Sequence, residues 1–439
     1  MKHLILSFAA ALALAGPARA EVDIQEVTSA GGITAWLVED SSIPFVALEA
    51  RFRGGASLDA EDKRGAANLM AALLEEGTGD LDARGFARAL EGIAADFSYD
   101  ASDDSISVSA RFLTETRDTA VDLLRRSITE PAFAEDAIER VRAQVLSGIA
   151  SDGTDPNSIA SQTFERLAFP GHPYGGPVQG TEETVSALTR DDLVTAWQGA
   201  MARDRLYVSA VGDITPEALA EMLDTVFGAL PETGAPMAGP APYALEPGVT
   251  VVDYDVPQSV ALFGQPGMER DDPDFLAAFV LNSIIGGSGF EARLMQEVRE
   301  ERGLTYGIGS FLVPKDHAAL YMGQFSTAND RMAEAIDVVK AEWARAADGV
   351  TAEELQDAKT YLTGNYPLRF DGNARIANIL VGMQLDDMPM DYVVTRNDQV
   401  NALTLEKIND VAAELFDPEA LSFVVVGQPE GIDGAMVTL

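Results

Sequence analysis

Few residues in this sequence could do chemistry of their own. It has three histidines and no cysteine, and no Gly-x-Ser-x-Gly segment that would set up a serine nucleophile. His3 falls in the N-terminal leader described below. His172 and His317 stand in different halves of the chain on no metal-ligand spacing, so a histidine-based zinc site would need the two to converge in the fold. What the chain does offer is hydrogen-bond donors and bare backbone. Gly286-Gly287-Ser288-Gly289 is a glycine-rich connection whose short side chains let another backbone approach closely. Arg299 and Tyr306, seven positions apart, bring a guanidinium fork and a phenol, both able to donate to carbonyl oxygens. Read alone, the glycines serve equally as a plain helix-to-helix turn, and Arg299 as a solvated charge.

The elements that would position these residues repeat. Pro44-Phe45-Val46-Ala47-Leu48 opens an apolar strand, and Pro257-Gln258-Ser259-Val260-Ala261-Leu262 opens another. Each leads through a glycine turn and a charged stretch to an apolar helix. Each unit then closes on a buried-looking strand ending in glycine, Leu206–Gly212 and Leu421–Gly427. From Val46 to Gly212 is 166 positions and from Val260 to Gly427 is 167. A matched order and span points to a tandem duplication.

Within the first unit, helical periodicity runs over 65–76, 82–93, 115–128 and 135–150, with Ile106, Val108, Ala110 and Phe112 alternating as a half-buried strand. The second unit predicts helices over 275–285, 290–301, 331–347 and 352–363, with strands over 306–312 and 318–327. The fold class expected is therefore α+β: two homologous lobes in tandem, each an antiparallel-rich sheet packed against helices. The boundaries read as a first lobe over 21–230, a Pro- and Gly-rich linker over 231–247, and a second lobe over 248–439.

One helix carries a family resemblance. Gly65-Ala66-Ala67-Asn68-Leu69-Met70-Ala71-Ala72-Leu73-Leu74-Glu75-Glu76-Gly77-Thr78 resembles the active-site helix of the pitrilysin/insulinase-type zinc peptidases, which carries H-x-x-E-H between a Gly and a Gly-Thr. Gly171-His172-Pro173-Tyr174-Gly175, followed by Gly180-Thr181, is similar to a loop of the bacterial and mitochondrial-processing branch, where the histidine is structural. The resemblance places Asn68 and Ala72 at the two zinc histidines, Ala71 at the glutamate base and Gly148 at the third ligand. Histidines at i and i+4 share one helix face and can grip one zinc, while the glutamate takes a proton from the attacking water. None of the four residues here can do so. The resemblance thus implies a degenerate member with no catalytic residue and no metal of its own.

The same resemblance gives the donors a role. The family keeps an arginine and a tyrosine at this spacing across the cavity from the zinc, beside a glycine-rich segment. Arg299, Tyr306, Gly286, Gly287 and Ser288 are accordingly the expected peptide-binding residues. Some family members are heterodimers of one active and one degenerate subunit. The implied function is a non-catalytic subunit that closes a clam-like chamber with a zinc-bearing homologue and helps hold unfolded peptides. A stand-alone peptide-binding protein, a structural scaffold such as a respiratory-complex core subunit, and an enzyme of unfamiliar chemistry are the competing readings.

Compartment and partners follow from the ends and the charge. Leu4–Ala15 is apolar, Gly16 and Pro17 interrupt it, and Ala18-Arg19-Ala20 reads as a cleavage site. A signal peptide over 1–20 is expected, because the apolar run is shorter than the about 20 residues that span a bilayer. No transmembrane segment is expected once it is removed, and the bacterial periplasm fits an exported, cysteine-free chain. The net charge of −39 is spread along the sequence, which argues against nucleic acid as a partner; it would attract cationic peptides at long range, but solubility of an exported protein explains it more simply.

Overall fold

A computed structural model describes residues 23–437 apart from 288 and 290. The expected leader over 1–20 and Ser288 thus lie outside the described residues. The strands are β1 (Gln25–Thr28), β2 (Thr34–Glu39), β3 (Phe45–Arg53), β4 (Gly77–Thr78), β5 (Leu81–Asp82), β6 (Asp96–Ala101), β7 (Ser105–Leu113) and β8 (Leu206–Gly212). They continue with β9 (Gly248–Asp253), β10 (Gln258–Pro266), β11 (Ile308–Pro314), β12 (Ala319–Ala328), β13 (Ser422–Gly427) and β14 (Ala435–Val437). Two six-stranded sheets result, ordered β1-β2-β8-β3-β7-β6 and β11-β12-β10-β13-β9-β14.

The repeat read from the sequence is a structural one. Val46 pairs with Gly212 and Val260 with Val426, the same separation of 166 positions in both sheets. Most pairings are antiparallel, with β2/β8, β9/β13 and β9/β14 parallel. Along β7, Ile106, Val108, Ala110 and Phe112 point inward while their neighbours stay more exposed. The adjacent β6 was not expected as a strand. Its short Asp-Phe-Ser-Tyr-Asp-Ala run still alternates, burying Phe97 and Tyr99 and exposing Asp96, Ser98 and Asp100. All six residues of β13 are buried, as suits a central strand covered on both faces.

The helices are α1 (Ala66–Leu73), α2 (Ala83–Gly92), α3 (Arg117–Thr129), α4 (Glu135–Asp152), α5 (Pro156–Ala168), α6 (Glu182–Ala187), α7 (Arg190–Ala200) and α8 (Pro216–Phe227). The later ones are α9 (Phe275–Ile285), α10 (Met332–Ala347), α11 (Ala352–Asn365), α12 (Asn373–Leu385), α13 (Tyr392–Ala402) and α14 (Leu405–Leu415). One face of each sheet packs on its own helices: Leu69, Leu124 and Leu223 join the first core, and Leu281, Val339 and Val411 the second.

The opposite faces are covered by exchange. α5 lies on the second sheet, where Ile159, Ala160 and Phe164 meet Leu262, Val424 and Val426. α12 lies on the first sheet, where Ala377, Leu380 and Met383 meet Trp36, Ala47 and Val211. Asp155 caps α5 by accepting from the Ser158 N–H at 2.9 Å, with Pro156 at the first helical position, a start signal that is plain in the sequence.

Residues 231–247 hold no helix or strand, yet they are pinned. Ala241 N–H donates to the His317 carbonyl and Ala244 N–H to the Ala168 carbonyl, both at 2.8 Å. The helix expected over 290–301 also differs. It is π-wound over Met295–Glu300, with the Glu301 N–H reaching back five residues to the Gln296 carbonyl. The strand expected from Tyr306 starts only at Ile308, because Thr305 turns the chain first.

Candidate functional site

The helix that resembles a zinc-peptidase active site is well built for its fold. Gly65 adopts φ +90° at its N-terminus, a conformation that favours glycine. The Asp59 carboxylate accepts from the Gly65 N–H (2.9 Å) and Ala67 N–H (3.1 Å), capping the helix. Burial pushes the Asp59 carboxyl up to about 7, against the pull of those N–H groups and Arg64. Asn68 and Ala72 sit one turn apart, half-buried on one face, and Gly148 is half-buried on α4, which packs against α1.

The chemistry of this donor set does not fit zinc. Asn68 is a poor ligand, Ala72 and Gly148 offer no donor atom, and Ala71 is 1% exposed within the core where a base would stand. The site is therefore stripped of donors, and only the base position is closed into the core. Among the described residues, no three His, Cys, Asp or Glu side chains gather in a metal-holding arrangement.

The two histidines do converge, against the sequence expectation. Their rings lie 5.9 Å apart between centroids, because the loop after α5 meets the β11–β12 turn. His172 is fully engaged there: its Nδ1 accepts from the Tyr174 N–H (3.1 Å) and its Nε2 lies 3.0 Å from the Gly239 carbonyl, to which it donates. That pattern leaves no ring lone pair for a metal. Burial holds His172 below the usual imidazole range. Tyr174 donates to Asp104 (2.5 Å) and accepts from the His317 N–H (3.1 Å), while Lys315 pairs with Asp103 at 2.6 Å. This is a polar rivet between the two sheets, and the structural role expected for His172 agrees with it.

The glycines of the second half border a cavity of about 780 Å³. Gly286 and Gly287 line it together with Gly307, Ile308, Gly309 and Ser310, and Asn157 reaches it from α5. The glycine turn is tied down, since the Gly286 carbonyl accepts from the Ser310 N–H (2.7 Å) and Ser310 Oγ donates to Asn282 (2.9 Å). Tyr306 stands at the rim, immediately before Gly307, and is 89% exposed. Its projection is fixed locally: Thr305 Oγ1 donates to the Gly307 carbonyl (2.8 Å) and accepts from the Gly307 N–H (3.1 Å).

Arg299 lies on the π-helix, half-exposed, and pairs with Glu300 at 3.5 Å. Its carbonyl accepts from the Gly303 N–H (2.9 Å), so the helix end and the turn toward Tyr306 form one unit. Single π-turns are frequent at functional sites. Arg299 and Tyr306, expected to act together with Gly286 and Gly287, are not themselves part of the cavity wall those glycines line. The Asn157 contribution was not legible in the sequence, since it depends on α5 crossing to the other sheet.

Two sheets of matching order, each with its helices, and a first-half helix without ligands fit the resemblance to a metallopeptidase whose zinc site is degenerate. Comparison with known proteins agrees. Residues 35–182 match the family Insulinase (Peptidase family M16), and residues 187–362 match Peptidase M16 inactive domain. The Helicobacter pylori protein named non-peptidase homolog YmxG is 28% identical over 392 residues, covering 88% of this chain and 90% of that one. An uncharacterized zinc protease of Rickettsia bellii is 25% identical over 320 residues, covering 73% and 77%. Among solved structures, a peptidase M16 inactive domain from Pseudomonas fluorescens superposes with a TM-score of 0.87 at 28% identity, over 94% of this chain and all of that one. A Helicobacter pylori protease shares the fold at TM-score 0.82 and 17% identity, over 92% and 99%. This chain belongs to the insulinase (M16) family, as a member whose zinc motif is degenerate.

Proposed function

We propose that this chain is the non-catalytic subunit of an exported two-chain zinc peptidase, presenting peptide to a homologue that holds the metal. The observation that carries this reading is the asymmetry between its halves. The first has no zinc ligand or base at the motif positions, whereas the second keeps an exposed tyrosine next to glycine-lined cavity wall and an arginine one turn beyond Met295, which lines that cavity. Arg299 and Tyr306 donate to peptide carbonyls, and the glycines at 286 and 287 let the backbone approach. β6 supplies a second place for an extended chain, because it ends its sheet beside α1. A peptide strand can add to such an edge through main-chain hydrogen bonds, and Asp96 and Asp100 on its exposed side suit a cationic one.

The test is co-purification of the tagged chain from its native extract, with metal analysis of each component. A near-stoichiometric homologue carrying H-x-x-E-H and one zinc, with none in this chain, supports the reading. A chain that elutes alone, yet binds peptides, assigns it an independent capture role.

A further inference from the structure

A second cavity, of about 500 Å³, lies between α12 and the α9 and β11 elements of the same half. Its walls come from α9 and Arg270 before it, the middle of β11, the segment 366–370, α12 and the beginning of α13. The interior is aromatic: Phe275, Phe279, Phe311, Tyr366, Phe370 and Tyr392 all face it. Among them stand three guanidinium groups, Arg270, Arg369 and Arg396, against one carboxylate, Asp386. That balance is unusual in a chain with 31 basic and 70 acidic residues.

The cations are not equivalent. Arg270 donates to Asp386 at 2.9 Å and lies over Phe275, so its charge is matched. Arg396 is 4% exposed. Its guanidinium stacks over the Tyr366 ring (4.6 Å) and near Phe279 (5.7 Å), and Nη1 donates to the Leu362 carbonyl and Asn397. Its polar neighbours are carbonyl, amide and phenol groups plus Arg369, with no carboxylate among the described residues. Arg369 lies on the exposed rim. The wall also includes Gly382, in the interior of α12, where an added Cβ would meet nothing within 4 Å. Glycine costs a helix interior about 1 kcal/mol relative to alanine, and here it leaves the cavity open.

We infer that this cavity binds an amphipathic carboxylate, with an aromatic or aliphatic body among the rings and the carboxylate at Arg396 and Arg369. A volume of this size suits a small organic ligand; rings favour the apolar body, and the planar forks can grip a carboxylate bidentately. The same chemistry is presented by a free aromatic acid and by the last residue of a peptide ending in phenylalanine. The cavity adjoins the glycine-lined one, sharing Asn282 and Phe311, so either source has a path to it. The assignment stands on these walls alone and does not require the peptidase-subunit reading.

Calorimetric titration of the full mature chain tests it, using N-acetyl-L-phenylalanine, its neutral amide, and a pentapeptide ending in phenylalanine with free or amidated C-terminus. Saturable binding of a free-carboxylate ligand, weakened at least tenfold on amidation, is expected; which ligand binds identifies the source. Gly382→Leu fills the space and abolishes binding, while Gly382→Ala retains it. Arg369→Ala, on the surface, weakens binding several-fold without affecting the circular dichroism, whereas Arg396→Gln also removes structural bonds and is the less clean variant. No saturable binding by any free carboxylate, equal affinity for the amides, or undiminished binding by folded Gly382→Leu overturns the inference.

Discussion

The two sheets of this chain have the same frame and opposite fates. Starting from the edge strand that differs, their orders are β1-β2-β8-β3-β7-β6 and β14-β9-β13-β10-β12-β11. Only the first strand changes character: β1 precedes β2 and pairs antiparallel, whereas β14 comes from the chain's end and pairs parallel with β9. On that shared frame, the first half carries a tidy α-helix with Ala71 buried where a base would stand. The second carries a π-turn, a strapped glycine corner and a tyrosine almost wholly in solvent. The lesson is that burial alone preserves the frame. The second half also carries irregular backbone and an exposed aromatic, features that cost stability and that burial does not explain.

The largest expected effects come from challenging that frame. Ala71→Glu buries a carboxylate with no partner and should destabilise the fold by about 3–5 kcal/mol, read by urea unfolding. Near-wild-type stability with bound zinc in a variant also carrying Asn68→His, Ala72→His and Gly148→Glu would instead reveal a latent metal site. Phe164→Ala in α5 should cost about 3–5 kcal/mol and Leu380→Ala in α12 about 2–5 kcal/mol. Both should lower one cooperative transition; two separated transitions would break the picture of halves clamped by exchanged helices.

On the second half the effect should fall on turnover instead. Arg299→Ala should reduce peptide cleavage by the reconstituted pair about tenfold, the equivalent of roughly 1.4 kcal/mol, and Tyr306→Phe by less, with assembly and melting temperature unchanged. Unaltered turnover in both variants would leave the exposed tyrosine without a peptide role.

A pH dependence at Asp59 tests the cap of the first-half helix. Its folded-state pKa is raised from 3.8 to about 7, so the folded form binds the proton more tightly than the unfolded form. The resulting stabilisation is full below about pH 4 and is lost as pH rises through 7. Asp59→Asn keeps an oxygen acceptor for the Gly65 and Ala67 N–H groups and should flatten stability across that window in denaturant titrations. An unchanged slope would assign it to other carboxyls.

Much of the frame was legible because its signals are local. Strand β7 alternates cleanly, the apolar helix over 275–285 is continuous, and the repeat spacing matches real strand pairs. The degenerate helix was legible for a simpler reason: an absent ligand can be read from the letters alone. β6 was hidden because its apolar residues number only three, interrupted by aspartates and serine. The meeting of His172 and His317, and the place of Asn157 in the cavity wall, depend on α5 crossing to the other sheet. No periodicity encodes that crossing. The π-turn beneath Arg299 was invisible too, since one extra residue per turn leaves the apolar pattern of a short helix nearly intact.

The exchanged helices also impose an order of manufacture. The first sheet has all its strands once residue 212 is made, yet its cover, α12, begins roughly 160 residues later. At 5–20 residues per second, Trp36, Ala47 and Val211 wait about 8–30 s before α12 can shield them. The nascent first half thus exposes this face until the second half is made, and a gene split at the linker would yield two fragments that stay soluble only when made together.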